Sequence, residues 1–267
     1  MIRLRRDAVD SPSSHPPLRL KYVEAVLSIG FALTFIAWTR LSAPGPLAPN
    51  ADPSSSGGPF GLDLLLPAPV AYPRSAAGQL AEAFAILTHP LIVLAVTAAW
   101  VVYAYISRMR RLSVSLAIAA TGIPVQFLIA LHLARPTPGA TFTDSIAAFA
   151  HAYPNAHITA MTLASWVLVT LARAHHRSTM VAAGTVLGYA AVVMTAVSQW
   201  YMGLATLSDL IGGFLLGAAF ANLALWVGGI DAILTSWVNR RLSRASSEKR
   251  AAVIYNPTKF DDLSLLR

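Results

Sequence analysis

The chain has 267 residues, of which 55% are hydrophobic and only 12% are charged. An ordinary soluble domain carries about twice that charged fraction, roughly 25%. The composition therefore excludes a disordered chain, a coiled coil and most soluble enzymes. The sequence has no cysteine, which excludes disulfides, thiolate metal sites and cysteine nucleophiles.

Six apolar segments follow one another along the chain, and most are long enough to cross a membrane. A hydrocarbon core about 30 Å thick takes about 20 apolar residues in a helix. The fourth segment is short and must use interfacial residues at its ends. A chain of 28.4 kDa has too little interior to bury six such segments, so the sequence predicts an all-α, six-helix transmembrane bundle. The segments are Tyr22–Thr39, Ala83–Ile106, Leu112–Ala134, His157–Ala172, Thr179–Gln199 and Thr206–Gly228.

The net charge of +8 is explained by the side of the membrane on which the basic residues lie. Lys and Arg favour the cytoplasmic ends of transmembrane helices. With a cytoplasmic N-terminus, only Arg40, Arg74 and Arg135 of the 20 basic residues fall outside. This distribution predicts a multi-pass protein of the plasma membrane with both termini in the cytoplasm. Its expected partners are membrane lipids, and no nucleic acid is needed to explain the charge.

The apolar segments also define the domain organisation. Residues 1–21 form a basic cytoplasmic N-terminus, and the first span is a retained signal anchor because no clean cleavage site follows it. Residues 22–229 form the membrane domain, in which 41–82 is a long outer loop rich in Pro, Ser and Gly. The loop is either a loose linker or a segment that lies on the membrane. Residues 230–267 form a cytoplasmic tail.

Polar residues form three groups where the predicted spans reach the outer surface. Arg135 follows the third span, Asn155 and His157 lie at the start of the fourth, Ser198 lies at the end of the fifth, and Asp209 lies at the start of the sixth. Topology places these residues on one side of the membrane, where Arg could clamp an oxyanion and His could donate a proton. Three of these residues also have a purely structural alternative: Arg135 as a membrane anchor, His157 with a local helix hydrogen bond, and Asp209 as a helix cap. Elsewhere His, Asp and Glu do not recur at a metal-ligand spacing, so no metal site is expected.

The spacing of these residues resembles the three motifs of the type 2 phosphatidic acid phosphatase family. The first motif is matched by Leu128 through Arg135-Pro136, the second by Pro154-Asn155-Ala156-His157, and the third by Ser198-Gln199, five residues, Ala205, three residues and Asp209. The resemblance covers about residues 22–229. It implies a six-span lipid-phosphatase fold with outward-facing motifs, no cofactor, and phosphatidate or a polyprenyl phosphate or diphosphate as substrate.

The resemblance also implies a role for each matching residue. Arg135, with Asn155 and Ser198, takes the substrate-binding positions. His157 takes the position of the acid that protonates the leaving oxygen, and Asp209 takes the position that orients the attacking imidazole. That imidazole, which forms a phosphohistidine in the family, is replaced here by Ala205.

The departures from the family motifs decide the expected chemistry. A methyl group has no lone pair and cannot attack phosphorus, and Leu128 and Gln199 replace two cations that would stabilise the phosphoryl charge. The sequence therefore predicts a catalytically impaired relative that binds a lipid phosphate, or scaffolds lipid metabolism, at the outer face. The alternative is an active phosphatase with a non-standard nucleophile, for which His89 and His132 are the candidates.

The last 18 residues, from Arg250 to Arg267, carry a short apolar run followed by Asn-Pro. They resemble the first strand and loop of the diacylglycerol kinase catalytic domain. The chain stops before a nucleotide-binding domain could form. A truncated fusion, a docking tail for a lipid kinase or other lipid enzyme, and an ordinary polar tail all remain open.

Overall fold

The computed structural model describes residues 18–42, 62–67, 75–135, 151–174 and 178–228. These ranges hold helices and no strand, which confirms the all-α prediction. The tail 230–267, with its kinase-like segment, and residues 1–17 lie outside the described residues. The helices are α1 (Leu18–Ser42), α2 (Leu62–Leu65), α3 (Ala76–Leu87), α4 (Pro90–Ile106), α5 (Arg110–Leu133), α6 (Ala156–Ala174), α7 (Ser178–Tyr201) and α8 (Leu207–Gly228).

The long helices coincide with the predicted spans. Five stretches of the described chain are long and apolar enough to cross a membrane, and α6 supplies a shorter apolar helix over Ala156–Thr170. The chain is therefore an all-α, multi-pass membrane protein. The number of crossings and the side on which the termini lie stay predictions. The five stretches are Tyr22–Ser42, Ala76–Ile106, Arg110–Leu133, Thr179–Tyr201 and Leu207–Gly228.

Helix occupies both margins of the predicted outer loop 41–82. At one end α1 continues to Ser42, and at the other α3 begins at Ala76, because the Ser75 hydroxyl accepts a hydrogen bond from the Gly78 backbone N–H at 3.0 Å. The second predicted span contains a break between α3 and α4. Pro90 at the first position of α4 has no N–H to continue the preceding helix, so the chain restarts there.

The centre of the bundle is α8, which packs against α1, α5 and α6. Its contact with α6 depends on glycine. A Cβ at Gly213 would lie 2.5 Å from the carbonyl oxygen of Asn155, and a Cβ at Gly217 would lie 2.8 Å from Cβ of Thr162. The Thr159 hydroxyl donates across this contact to the Gly213 carbonyl at 3.1 Å. Small residues thus bring two backbones together, and they hold the second motif against the helix that carries Asp209.

The end of α1 closes the same end of the bundle. The Trp38 indole N–H donates to the Ser208 carbonyl at 3.0 Å, and the hydroxyls of Thr39 and Tyr153 lie 2.7 Å apart. The Tyr153 ring stacks on Phe35 with a centroid distance of 6.3 Å. Burial raises the pKa of Tyr153 to about 12, so its hydroxyl stays protonated and hydrogen-bonded at physiological pH.

Candidate functional site

The guanidinium of Arg135 lies between two carboxylates. Its Nη1 is 3.0 Å from Oδ1 of Asp209 and donates to the Ser208 hydroxyl at 2.9 Å, while its Nη2 is 3.1 Å from Oδ2 of Asp63. The side chains of Arg135 and Asp63 are each 8% exposed, and that of Asp209 is fully buried. The cation expected to hold a phosphate is therefore already paired within the chain.

Asp63, on the short helix α2, is the functional candidate that sequence reasoning missed. Its Oδ1 accepts the backbone N–H of Ser208 at 2.8 Å, and its Oδ2 accepts the Ser208 hydroxyl at 2.7 Å in addition to Arg135. The indole N–H of Trp200 also donates to the Leu66 carbonyl at 3.2 Å, which holds the segment a second time. The feature of the sequence that could have identified Asp63 is that it is a single carboxylate in the apolar run Gly61–Leu66.

Asp209 divides its two oxygens between a helix cap and the ion pair. Oδ2 accepts the backbone N–H and the hydroxyl of Thr206, both at 2.8 Å, which satisfies the start of α8 as in a capping box. Oδ1 faces Arg135. Of the two roles left open by the sequence, the contacts of Asp209 provide the cap. The role of orienting an imidazole, which the resemblance implied, finds no support in them.

Asn155 joins the second motif to the third. Its side-chain oxygen accepts the Ile158 backbone N–H at 3.0 Å and so caps α6, and its amide nitrogen donates to Gln199 at 3.3 Å. Its backbone N–H donates to the Asp209 carbonyl at 3.1 Å. The structure therefore brings Arg135, Asn155 and Asp209 together at one end of the bundle, as the topology argument expected.

His157 begins α6 on the side of the bundle where α3 meets α4. The imidazole is 3% exposed, and its Nδ1 is 3.4 Å from the Thr88 hydroxyl. The rings of His157 and His89 meet edge to face with a centroid distance of 5.7 Å. The two imidazoles thus form a pair, and His157 lies two residues after Asn155, whose backbone contacts Asp209. His89 was named from the sequence only as a candidate substitute nucleophile.

Three other positions matched to the motifs lie in packed or lipid-facing surroundings. The Ser198 hydroxyl donates to the Ala81 carbonyl at 2.8 Å and so ties α7 to α3. Ala205 is fully buried and packs in an apolar cluster with Ile158 and Leu210. Leu128 is 63% exposed on the outside of the bundle, whereas Arg135 is 8% exposed.

Two buried glutamine side chains contact the second motif, and only one of them was singled out from the sequence. Gln199, at the place of a motif arginine, is 2% exposed, and Gln126 in α5 is 1% exposed. The Gln126 amide donates to the Pro154 carbonyl at 2.7 Å. A lone amide in an apolar span was the signal for Gln126. Among the described residues, no group of three or more His, Cys, Asp or Glu could hold a metal ion.

An all-α, multi-pass bundle with an arginine–carboxylate cluster at one end is the class of protein that this geometry defines. Among solved structures, the chain is similar to the transmembrane PAP2 type phosphatidylglycerolphosphate phosphatase from Bacillus subtilis. The TM-score is 0.50 and the identity 16%, with 74% of this chain and 94% of that chain covered. No protein-family profile and no curated protein sequence matches. The PAP2-like fold implied by the resemblance is therefore confirmed, whereas the roles of the motif residues stay predictions.

Proposed function

We propose that this PAP2-like protein binds the phosphate group of a membrane lipid at the motif end and does not hydrolyse it through a phosphohistidine. The observation that carries the proposal is the set of donors around Asp63. The Arg135 guanidinium, the Ser208 hydroxyl and the Ser208 backbone N–H all contact one carboxylate at the N-terminus of α8. This combination of arginine and helix N-terminus suits an oxyanion.

A lipid phosphate would bind by replacing Asp63. The replacement leaves Asp209 with Arg135, so no buried charge loses its partner. The segment that must move is short, since α2 has four residues, and its outer side carries Leu64 and Leu65, which are 69% and 72% exposed. These leucines suit the membrane surface, where a lipid headgroup approaches.

The lack of turnover follows from the surroundings of Ala205. Its methyl is fully buried beside Ile158. This position therefore has no nucleophilic nitrogen, and packed apolar side chains surround it. Stabilisation of the equatorial phosphate oxygens is the main source of catalysis in phosphoryl transfer. In this chain that stabilisation would depend on Arg135, and the positive charge of Arg135 is already offset by Asp209.

An active phosphatase is the second candidate, and the pair of His89 and His157 favours it. The capping contact of His89 argues against it, because the Leu91 backbone N–H donates to Nδ1 of His89 at 3.3 Å. A neutral ring whose Nδ1 accepts this bond carries its proton on Nε2, so its one lone pair is already engaged. Purified protein should therefore release no phosphate from phosphatidate or polyprenyl phosphate. Turnover that His89→Ala and His157→Ala both abolish would replace our proposal with this alternative.

The replacement of Asp63 predicts a gain of affinity. Asp63→Asn keeps the shape of the side chain and removes the competing charge. Phosphatidate in phosphatidylcholine nanodiscs should therefore bind about tenfold more tightly, a gain of about 1.4 kcal/mol in binding free energy. Glu82→Gln removes one charge from α3 and is the matched control. Ser208→Ala, which removes a donor, should weaken binding. Equal or weaker binding by Asp63→Asn would contradict the proposal.

The outward orientation of the motif end is part of the same proposal. The chain has no cysteine, so single introduced cysteines report the topology cleanly. Leu65→Cys on α2 should react with a membrane-impermeant maleimide added to intact cells, and Ser107→Cys after α4 should react only after permeabilisation. The reverse pattern would place the motif end inside. A lipid-metabolising partner for the tail 230–267 stays a prediction from the sequence.

A further inference from the structure

A groove of about 530 Å³ runs between α1, α6, α7 and α8, from the middle of the bundle towards the end opposite the motifs. Three of its partly exposed polar residues lie near that far end: Glu24 of α1, Thr185 of α7 and Asn222 of α8. At 1.5 Å rise per residue they are about 27 Å, 24 Å and 23 Å from the motif ends of their helices. A hydrocarbon core is about 30 Å thick, so these polar side chains lie near the opposite membrane surface.

The other part of the groove is apolar and open to the lipid. Phe31 of α1, Val192 of α7 and Phe214 of α8 line it, between about 11 Å and 17 Å from the motif ends of their helices. Leu27 and Phe214 are 45% and 37% exposed, so hydrocarbon chains reach this part from the side. The groove is therefore polar near the membrane surface and apolar near the middle of the membrane, which is the profile of a lipid molecule.

The polar residues at the far end offer oxygen atoms that accept hydrogen bonds. The Thr185 hydroxyl donates its proton to the Val181 carbonyl at 2.7 Å. The Asn222 amide nitrogen donates to the Ala218 carbonyl at 2.8 Å. The hydroxyl oxygen and the amide oxygen remain acceptors. A carboxylate has about four acceptor sites on its two oxygens, so Glu24 has the capacity to bind an ammonium group in addition to its contacts within the chain.

Glu24 also gives the far end of the groove a negative charge. It is the only Asp or Glu in the stretch Tyr22–Ser42, and acidic residues in membrane-spanning segments usually mark a functional site. Among the described residues that line the groove, there is no Lys, Arg or His. A phosphate at this position would meet a carboxylate without a cation from that lining, and like charges repel strongly where the dielectric constant is low. The charge of the groove therefore favours a cationic headgroup over a phospholipid headgroup.

We propose that the groove binds a single-chain lipid with a primary ammonium headgroup and no phosphate, the chemistry of a long-chain amine. An ammonium group has three N–H donors and no acceptor, which matches the oxygens of Glu24, Thr185 and Asn222. The alkyl chain lies along Leu27 and Phe31 towards the middle of the membrane. The volume of the groove is in the range of ligand pockets, about 300–1,000 Å³.

The test compares ligands of equal chain length on the purified full chain in a non-ionic detergent, by native mass spectrometry. Hexadecylamine should bind about tenfold more tightly than hexadecanol, because a charge-assisted hydrogen bond is stronger than a neutral one, and hexadecanoate should not bind. Glu24→Gln should weaken amine binding about tenfold and leave hexadecanol binding unchanged. The matched control Glu82→Gln removes a carboxylate from α3, a helix outside the described lining of the groove, and should change neither.

The outcomes separate this proposal from its alternatives and from the phosphate site. Equal binding of hexadecylamine and hexadecanol by the wild type would overturn the proposal, as would amine binding that Glu24→Gln leaves unchanged. Displacement of the amine by an equal concentration of lysophosphatidylethanolamine would make the groove a phospholipid site and would also overturn it. Should Glu24→Gln fail to fold, the comparison of amine with alcohol still decides. Asp63 and its phosphate site lie at the other end of the bundle, so either proposal can fail alone.

Discussion

Replacing Arg135 by glutamine should lower the free energy of unfolding by about 3–5 kcal/mol, the cost of leaving a buried charge without its partner. The guanidinium faces Asp63 and Asp209 at 3.1 Å and 3.0 Å. Asp209 is fully buried, so water cannot replace the lost cation. Thermal unfolding in detergent, followed by circular dichroism and by the monodisperse fraction on size exclusion, would measure the loss.

Three variants of the same cluster show whether charge balance is the cause. Asp63→Asn leaves one cation facing one anion and should be far less destabilised than Arg135→Gln. Asp209→Asn combined with Arg135→Gln removes the stranded charge and should recover part of the stability. Arg135→Lys keeps the charge and should fall between. A melting temperature of Arg135→Gln equal to that of wild type would show that the ion pairs contribute nothing.

The fold could be predicted from sequence because its main determinant is local and repeated. Each membrane-spanning helix can be recognised in the sequence as a run of some 20 apolar residues. Because successive spans cross the membrane in alternating directions, their order then predicts which helix ends lie on the same side. That reasoning was sufficient to predict that Arg135, Asn155 and Asp209 lie at one end of the bundle. It depends on span count and not on side-chain detail, which is why it holds at 16% identity to the solved structure.

The site itself depends on contacts that the sequence pattern does not contain. Asp63 reaches Ser208 across 145 positions of sequence, and its loop has no periodicity that predicts this placement. The motif spacing from Leu128 to Arg135 suggests two helical turns on one face. Ala134 instead adopts a left-handed conformation with φ of 47°, so Arg135 leaves the helical register. A single backbone angle thus separates two positions that spacing alone would align.

Pairing within the cluster also changes the meaning of a retained motif residue. Arg135 matches the motif, but its two carboxylate partners leave the cluster with a net negative charge when both are ionised. An anionic lipid can enter only if one carboxylate leaves, and the two are not equivalent. Asp209 also caps α8 through Thr206, whereas Asp63 belongs to a four-residue helix at the surface. Motif identity therefore predicts Arg135, whereas the contribution of Ser208 and the pairing of Arg135 with Asp63 depend on the surroundings.

Gly213→Ala should destabilise the protein by about 1–3 kcal/mol, the usual cost of overpacking, although alanine is the better helix former. The added Cβ would lie 2.5 Å from the Asn155 carbonyl oxygen and 3.2 Å from Cβ of Ile158. Since the first of these is backbone, α6 must move away from α8. That movement would lengthen the contact between Asn155 and Asp209, so phosphatidate binding should weaken together with stability.

Gly30→Ala is the matched control for this substitution. It lies in the long helix α1, where an added Cβ would meet nothing within 4 Å, so stability should stay unchanged or rise by up to about 1 kcal/mol through helix propensity. Gly213→Ala should thus lower the melting temperature, whereas Gly30→Ala should leave it unchanged or raise it. If both shifted it equally, close approach of α6 to α8 would not be what holds the second motif against Asp209. The position of Asn155 would then have to depend on its hydrogen bonds to Gln199 and Ile158.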